Sequence, residues 1–277
     1  MVCFRRSLVF FPRLKHLREM HRRLVFEESV SRAAIWSRRL ALFGLTVVAL
    51  AVLIFRFGQP SVERLAPIAG AYIFVLLAFL LALAAFVRIW QDGHRGIGIA
   101  VQAFVLCLLL LAPVAYGGFQ LATLPFLADV STDIDEPPAF SRSRVALGAR
   151  GGMVPPDVPA ERRKAQRQGY PKAVPIVLEL PAEVAYDIAR KACVNLGWQV
   201  LEGAAPGGRS GAGRLDAVAR SRVLRLVDDI TIRIRPRADG SRIDIRSASR
   251  LGGFDFGANA RRIAAFEEEV KLLVELR

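Results

Sequence analysis

Arginine is the residue type in the last hundred residues that could bind a ligand. In three stretches with period-two alternation, isoleucine or leucine occupies one face and arginine the other, as at Arg233, Arg235 and Arg242. A guanidinium group presents a planar fork that matches a phosphate or a carboxylate. The sequence therefore predicts a basic sheet face that binds an anion. The candidate binding residues lie on this face, at its edge and in the segment that follows: Arg233, Arg246, Ser247, Ser249, Arg250, Asp255, Asn259 and Arg262.

The same residues also have a purely structural interpretation. The arginines can keep one sheet face in contact with water while pairing with Asp216 and Asp244 on neighbouring strands. Asp255 and Asn259 precede or begin an amphipathic stretch, so we expect them to cap the last helix. The sequence leaves a ligand site and a wet sheet face open as alternatives, and favours the cap.

An acidic segment, residues 127–140, leads into the soluble part of the chain. Its candidate polar residues are Asp129, Thr132 and Asp133. Their spacing approaches that of a calcium loop, but Ile134 stands where the turn needs glycine and Phe140 where the loop needs glutamate. We therefore expect an extended segment held against the domain surface and no metal.

Catalysis by carboxylates alone is the enzymatic alternative. Asp129 with Asp133, or Asp255 with Asp229, could divide acid and base roles. The three histidines, at positions 16, 21 and 94, all fall in the first hundred residues, and the soluble domain holds a single cysteine, Cys193. We assign no catalytic residue, no metal and no cofactor, and expect a binding protein more than an enzyme.

Three apolar runs must anchor this domain. Residues 40–55, 66–87 and 96–120 are each near the roughly 20 residues that an α-helix needs to cross a bilayer. The chain is 53% hydrophobic and carries a charge of +14, because the apolar residues and the charges belong to different regions. Ionisable side chains are confined to the ends of the runs, so we expect an anchor in contact with lipid and no transport path.

Charge sets the expected orientation. Residues 1–39 hold ten Lys or Arg and three Glu, a net charge of +7 and half of the total. Such a cluster beside a first span stays in the cytoplasm, and this topological role is preferred to nucleic-acid binding. Three crossings then place the C-terminal domain outside. We expect a multi-pass inner-membrane protein with a cytoplasmic N-terminus and a periplasmic domain.

The soluble part is predicted to be α+β. Residues 173–277 indicate a strand, a helix, four strands and a final helix, which give a two-layer antiparallel sheet of about five strands with both helices on its apolar face. Pro181 begins the first helix, and Ala238 to Gly240 form the turn between the last two strands. The domains are thus 1–39, a basic tail; 40–120, the spans; 121–172, an extended segment with a flexible linker over 141–168; and 173–277, the folded domain.

Four blocks of the chain form a specific pattern: Asp129-Val-Ser-Thr-Asp133, Tyr170-Pro171, Asp228-Asp229-Ile-Thr-Ile-Arg233 and, most specifically, Ile245-Arg-Ser-Ala-Ser-Arg-Leu-Gly-Gly-Phe-Asp-Phe-Gly-Ala-Asn-Ala-Arg-Arg-Ile263. These blocks resemble the bacterial domain-of-unknown-function family numbered fourteen ninety-nine, whose membrane-anchored members carry three N-terminal spans. The resemblance implies a membrane-tethered domain and no assigned reaction. We predict that the domain binds an anionic lipid, a cell-wall fragment or an acidic protein, with no nucleic acid, and keep a carboxylate-dependent envelope enzyme as the alternative.

Overall fold

A computed structural model describes residues 29–58, 63–207 and 211–277 of the chain. Most of the predicted basic tail and the centre of the glycine-rich loop between Gly203 and Gly213 lie outside these residues.

Three long helices open the described part of the chain. They are α1 (Arg32–Phe57), α2 (Ala66–Asp92) and α3 (Ile97–Thr123), and each is long and apolar enough to cross a membrane. A 3-10 turn, Glu63–Leu65, precedes α2. A helix that could span a membrane is confirmed at each predicted run, and each helix extends a few residues beyond the end of its run. Small residues let the helices approach closely, because Ala41, Val75, Ala78 and Cys107 form their buried contact.

A six-stranded antiparallel sheet forms the soluble part. Its strands are β1 (Asp129–Ser131), β2 (Ile176–Leu178), β3 (Gln199–Ala204), β4 (Gly213–Arg220), β5 (Val227–Arg237) and β6 (Gly240–Ser249). The order is β1, β6, β5, β4, β3, and β2 also pairs with β6 beyond the end of β1. Five of these strands were predicted. The additional strand, β1, is a short part of the acidic segment, and it pairs Val130 with Ser247 of β6.

Two helices cover the apolar face of the sheet, as predicted. They are α6 (Ala182–Asn195) and α7 (Ala258–Glu275). Alternation turns Ile230, Ile232 and Ile245 towards these helices, where Phe266 of α7 is fully buried among them. The α+β class and the position of the core are therefore confirmed.

The β5–β6 hairpin turns at the predicted position, and its turn consists of Ala238 and Asp239, since Gly240 already pairs with Arg237. Gly240 follows with φ of 141°. A Cβ atom there would lie 2.1 Å from the carbonyl oxygen of Leu178 in β2, so glycine lets the two backbones meet.

The opposite, polar face of the sheet is covered by the chain between residues 132 and 169. Two short helices form there, α4 (Arg144–Ala149) and α5 (Ala160–Gly169). Ser143 caps α4 through a hydrogen bond from the amide of Ala146. The sequence had suggested a loop or flexible linker over 141–168. The structure differs because charged side chains of the sheet bind this segment, an effect that apolar periodicity does not reveal.

Candidate functional site

The chain between residues 132 and 169, which covers the polar face, is called the covering segment below. Asp133 joins it to three strand arginines. Its Oδ2 accepts a hydrogen bond from Nη2 of Arg233, Arg235 and Arg242, each at 3.0 Å. Burial acts to raise the pKa of Asp133, but the amide of Glu136 and these arginines outweigh it, so the pKa is lowered. Asp244 lies beneath, fully buried, and binds the same three guanidinium groups.

Arg246 is the next residue of this face towards the spans, and 2% of it is exposed. Its Nη2 lies 2.7 Å from Oδ2 of Asp129 and 2.9 Å from the carbonyl oxygen of Pro156. The ring of Phe140 lies 4.8 Å from its guanidinium carbon. Burial raises the pKa of Asp129, although Arg246 and Arg162 act in the opposite direction. The contacts with Pro156 and Phe140 hold the covering segment onto the sheet, and the contact with Asp129 joins β6 to β1.

Arg150, at the end of α4, reaches the same face from above and is also 2% exposed. Its Nη2 donates to Asp216 at 2.8 Å, and its Nε lies 3.2 Å from Oδ1 of Asp229. Phe140 packs against this guanidinium as well, with 5.1 Å between the guanidinium carbon and the ring centre. A buried layer of arginine, aspartate and one phenylalanine therefore fills the space between the sheet and its cover.

Most of the arginines that were predicted to bind a ligand belong to this layer. Arg233 and Arg246 are brought onto one face, as predicted, but both bind carboxylates of the chain itself. Arg250 donates to both oxygens of Asp229 at 2.9 and 2.8 Å, and its side chain remains 23% exposed. Arg250 also lines a cavity, which is described below. The role of the others in ligand binding stays a prediction that their internal contacts do not favour.

The remaining candidates lie on the helix side of the sheet. Asn259 is fully buried and accepts a hydrogen bond from Ser247 Oγ at 2.7 Å, while its amide nitrogen donates to Ser249 Oγ at 3.0 Å. Arg262 donates to Asn259 and to Asp228. The carboxylate of Asp255 accepts hydrogen bonds from the backbone amides of Gly257 and Asn259 at 2.8 and 2.7 Å, so Asp255 caps the start of α7 as predicted. Asn259, the second predicted cap, lies inside α7 and its side chain binds β6. These residues fix the start of α7 on β6.

The carboxylates proposed for catalysis are engaged in the same way. Asp129 and Asp133 bind arginines, Asp255 binds amides, and Asp229 accepts from Arg250 while lying beside Arg150. Among the residues that the structure describes, no group of three His, Cys, Asp or Glu side chains could hold a metal. No observation on this face specifically favours acid and base chemistry.

A cavity of about 400 Å³ opens at the end of the polar face next to the connection that follows α3. Its floor is Asp129, Asp229 and Arg250, at the ends of β1, β5 and β6 nearest α3. Its cover is the segment 153–159, Met-Val-Pro-Pro-Asp-Val-Pro, and α5 contributes Arg162. The prolines fix an extended backbone that carries apolar side chains over the cavity. A cavity with an apolar wall and a few polar groups is typical of a small-molecule site.

Charges at this cavity differ in how far they are neutralised. Asp129 and Asp229 already accept hydrogen bonds from arginines. Arg162 is exposed, and no hydrogen bond or ion pair joins it to the part of the chain that the structure describes. Asp157, across the opening, is exposed as well. Arg162 and the exposed part of Arg250 are therefore the cationic groups that can meet an incoming ligand.

Sequence reasoning missed Arg150, Phe140 and the segment 153–159. Strand alternation had put Arg and Asp on one face, and the cross-strand register places Arg233 directly opposite Asp244. That pairing was the available signal that the face is internally balanced. No periodicity marks residues 153–159, because proline and short apolar residues there follow neither a helix nor a strand pattern.

Three helices able to cross a membrane, followed by an open antiparallel sheet with helices on its apolar face, define a membrane-associated protein of the α+β class. Residues 129–270 match the model of the family described as protein of unknown function, DUF1499, and the chain belongs to this family. The match covers more than half of the chain and confirms the resemblance found in its motifs. No curated protein and no solved structure matches the chain.

Proposed function

We propose that this protein is a membrane-anchored binding protein that holds an anionic group of an envelope component in the cavity beneath residues 153–159. The observation that carries this proposal is the cavity itself, which combines an apolar wall with Arg162 and Arg250. Phosphate or carboxylate is the chemistry that two guanidinium groups bind best.

The rest of the polar face offers a weaker site for the same ligand. Arg233, Arg235 and Arg242 would have to release Asp133 and Asp244 before binding another anion. Replacing these carboxylates by that of a ligand would gain little free energy, because each displaced, buried aspartate would lose the arginines that neutralise its charge. At the cavity, Arg162 makes no hydrogen bond or ion pair within the described residues that it would have to release.

The apolar wall suggests what lies next to the anionic group. Leu127, Val154, Pro155 and Pro156 line the cavity beside the connection from α3. An amphiphile with an anionic head can place its head at Arg162 and the adjoining carbon atoms against this wall. A phospholipid headgroup and a cell-wall fragment share this chemistry.

The site is proposed to lie in the periplasm. This orientation rests on the basic residues before α1 and on three crossings between them and the domain. Fusions to Arg277 test it: a reporter active only outside the cytoplasm is expected to be active, and a reporter active only in the cytoplasm is expected to be silent. The opposite pattern would place the domain in the cytoplasm and contradict the proposal.

Binding is tested with full-length protein in neutral detergent and three probes: dihexanoyl phosphatidylglycerol, dihexanoyl phosphatidylcholine and a muropeptide. We expect one of the two anionic probes to bind more tightly than phosphatidylcholine. Arg162→Ala removes an exposed side chain and is expected to weaken that binding about tenfold, which is the loss of roughly 1.4 kcal/mol.

Lys164→Ala is the matched control. Lys164 lies two residues away on the same exposed helix and has the same charge, but it does not line the cavity. It should leave the affinity within twofold of the unaltered protein. Equal weakening by both variants would show a general charge effect, and absence of binding by both anionic probes would reject the proposal. A lipid source and a cell-wall source are distinguished by which probe binds.

A further inference from the structure

The end of the domain next to the spans carries two loops at the level of the helix ends. One is the β4–β5 loop, residues 221–226. Nη1 of Arg56, near the end of α1, donates to the carbonyl oxygens of Arg222 and Val223 in this loop, at 2.5 and 2.8 Å. The other is the β6–α7 loop, residues 250–257, where the ring of Phe256 lies 3.6 Å from the position that a Cβ at Gly117 of α3 would take.

Both loops, and the connection that follows α3, present apolar side chains at this level. Phe126 is 59% exposed, Val223 65% and Phe256 45%. The ring of Phe254 stacks on Phe126 with 5.4 Å between centres and meets the edge of Phe256 at 4.7 Å. An aromatic cluster of this kind is costly against water, whereas aromatic rings are favoured at the boundary between lipid and water.

The β4–β5 loop also carries unneutralised charge. Arg222 and Arg225 are exposed, and neither side chain makes a hydrogen bond or an ion pair within the described ranges 29–58, 63–207 and 211–277. They differ in this from Arg233 and Arg242 on the sheet. Arginine near a bilayer surface is attracted by anionic lipid headgroups.

Backbone strain falls on the same two loops. Within the described residues, the non-glycine residues with positive φ are Arg225 at 54° and Phe256 at 53°. A left-handed backbone is unfavourable for such side chains and persists where the surroundings impose it. One of these strained residues is therefore basic and the other aromatic, and both lie at the end of the domain next to the spans.

We propose that the β4–β5 loop and the aromatic cluster form a bilayer-contact surface, which lies in the headgroup region of the leaflet where α1 and α3 end. Val223, Phe126 and Phe256 enter the boundary between headgroups and acyl chains, and Arg222 and Arg225 bind anionic headgroups. The surface fixes the tilt of the domain on its own membrane. It does not depend on the ligand proposed for the cavity.

The test uses full-length protein in nanodiscs of phosphatidylcholine, with and without phosphatidylglycerol. Nitroxides are attached at Val223→Cys and Phe126→Cys after the native cysteines at 3, 107 and 193 are replaced, and oxygen and a water-soluble nickel chelate are used as relaxing agents. Asp239→Cys, in the β5–β6 turn at the far end of the sheet, is the control. We expect the ratio of oxygen to nickel accessibility to be several-fold higher at 126 and 223 than at 239.

A second variant separates lipid contact from loop folding. Arg222→Gln with Arg225→Gln should lower the phosphatidylglycerol-dependent part of the signal at 223. Arg142→Gln with Arg144→Gln, which replaces two exposed arginines at the start of α4, should not. Nickel accessibility at 126 and 223 equal to that at 239 would overturn the proposal. So would a signal at 223 that is insensitive to phosphatidylglycerol in the protein with both arginines intact.

Discussion

Replacing Asp133 by asparagine tests whether the buried layer of arginines and aspartates holds the covering segment on the sheet. The carboxylate binds three guanidinium groups at 3.0 Å, and 11% of its side chain is exposed. A hydrogen bond to a charged group contributes about 1.5–3 kcal/mol when buried. The arginines are 23–32% exposed and keep Asp244, so solvent and the second carboxylate reduce the loss. We expect Asp133→Asn to lower the free energy of unfolding by about 2 kcal/mol.

Trp198 provides the assay, because it stacks on Phe266 in the core with 5.6 Å between ring centres. Trp36→Phe and Trp90→Phe remove the two other tryptophans, which lie in α1 and α2. Urea unfolding of the full-length protein in detergent is then followed by Trp198 fluorescence. With a slope of about 1–3 kcal/mol per molar urea, the midpoint should fall by roughly 1 M.

Asp135→Asn is the matched control, because Asp135 is 76% exposed and binds an exposed arginine, Arg167. It should change stability by less than about 0.5 kcal/mol. Equal effects of the two variants would refute the reasoning.

The pH dependence gives a second check on Asp133. Its pKa is lower in the folded state than the unfolded value of about 3.9, so its ionised form stabilises the fold above that pH. The difference in free energy of unfolding between the unaltered protein and Asp133→Asn should be constant from about pH 7 to 5 and should shrink as pH falls below about 4. A difference that grows on acidification would contradict this assignment.

The other predictions concern buried groups. Arg246→Lys keeps the charge but loses the two-point contact with Asp129 and the stacking on Phe140, and should cost about 2–4 kcal/mol in urea unfolding. Asn259→Ala leaves Ser247 and Arg262 with one partner fewer and should cost about 2–3 kcal/mol by the same assay, whereas Glu268→Ala on the exposed side of α7 should be nearly neutral. Burial raises the pKa of Cys193 to about 12, so a maleimide at pH 8 should leave it unmodified until the domain unfolds; labelling of folded protein would contradict its burial.

Sequence reasoning predicted the elements whose burial follows a regular period. The spans, α6, α7 and the alternation of Ile230, Ile232 and Ile234 all bury one face of a repeating geometry. The cap at Asp255 was also predictable, because it depends on residues close in the chain.

The covering segment was not predictable in the same way. Its position depends on single long-range contacts, such as those of Asp133 and Arg150 with residues at least 66 positions away, and these leave no periodic trace. The candidate site moved for this reason. Arg246 already binds Asp129 and so is not available to a ligand. Arg162 and Val154, whose positions follow no sequence pattern, line the cavity.

Plugging the cavity tests the central claim most directly. Val154 is half-buried in its wall, and Val154→Trp would fill much of the space without altering a charge. Native mass spectrometry of the full-length protein would then count bound dihexanoyl phosphatidylglycerol or muropeptide, whichever binds the unaltered protein, with Trp198 unfolding as the check on stability. We predict one bound molecule on the unaltered protein and none on Val154→Trp. Unchanged occupancy in a folded Val154→Trp protein would show that the anion binds elsewhere.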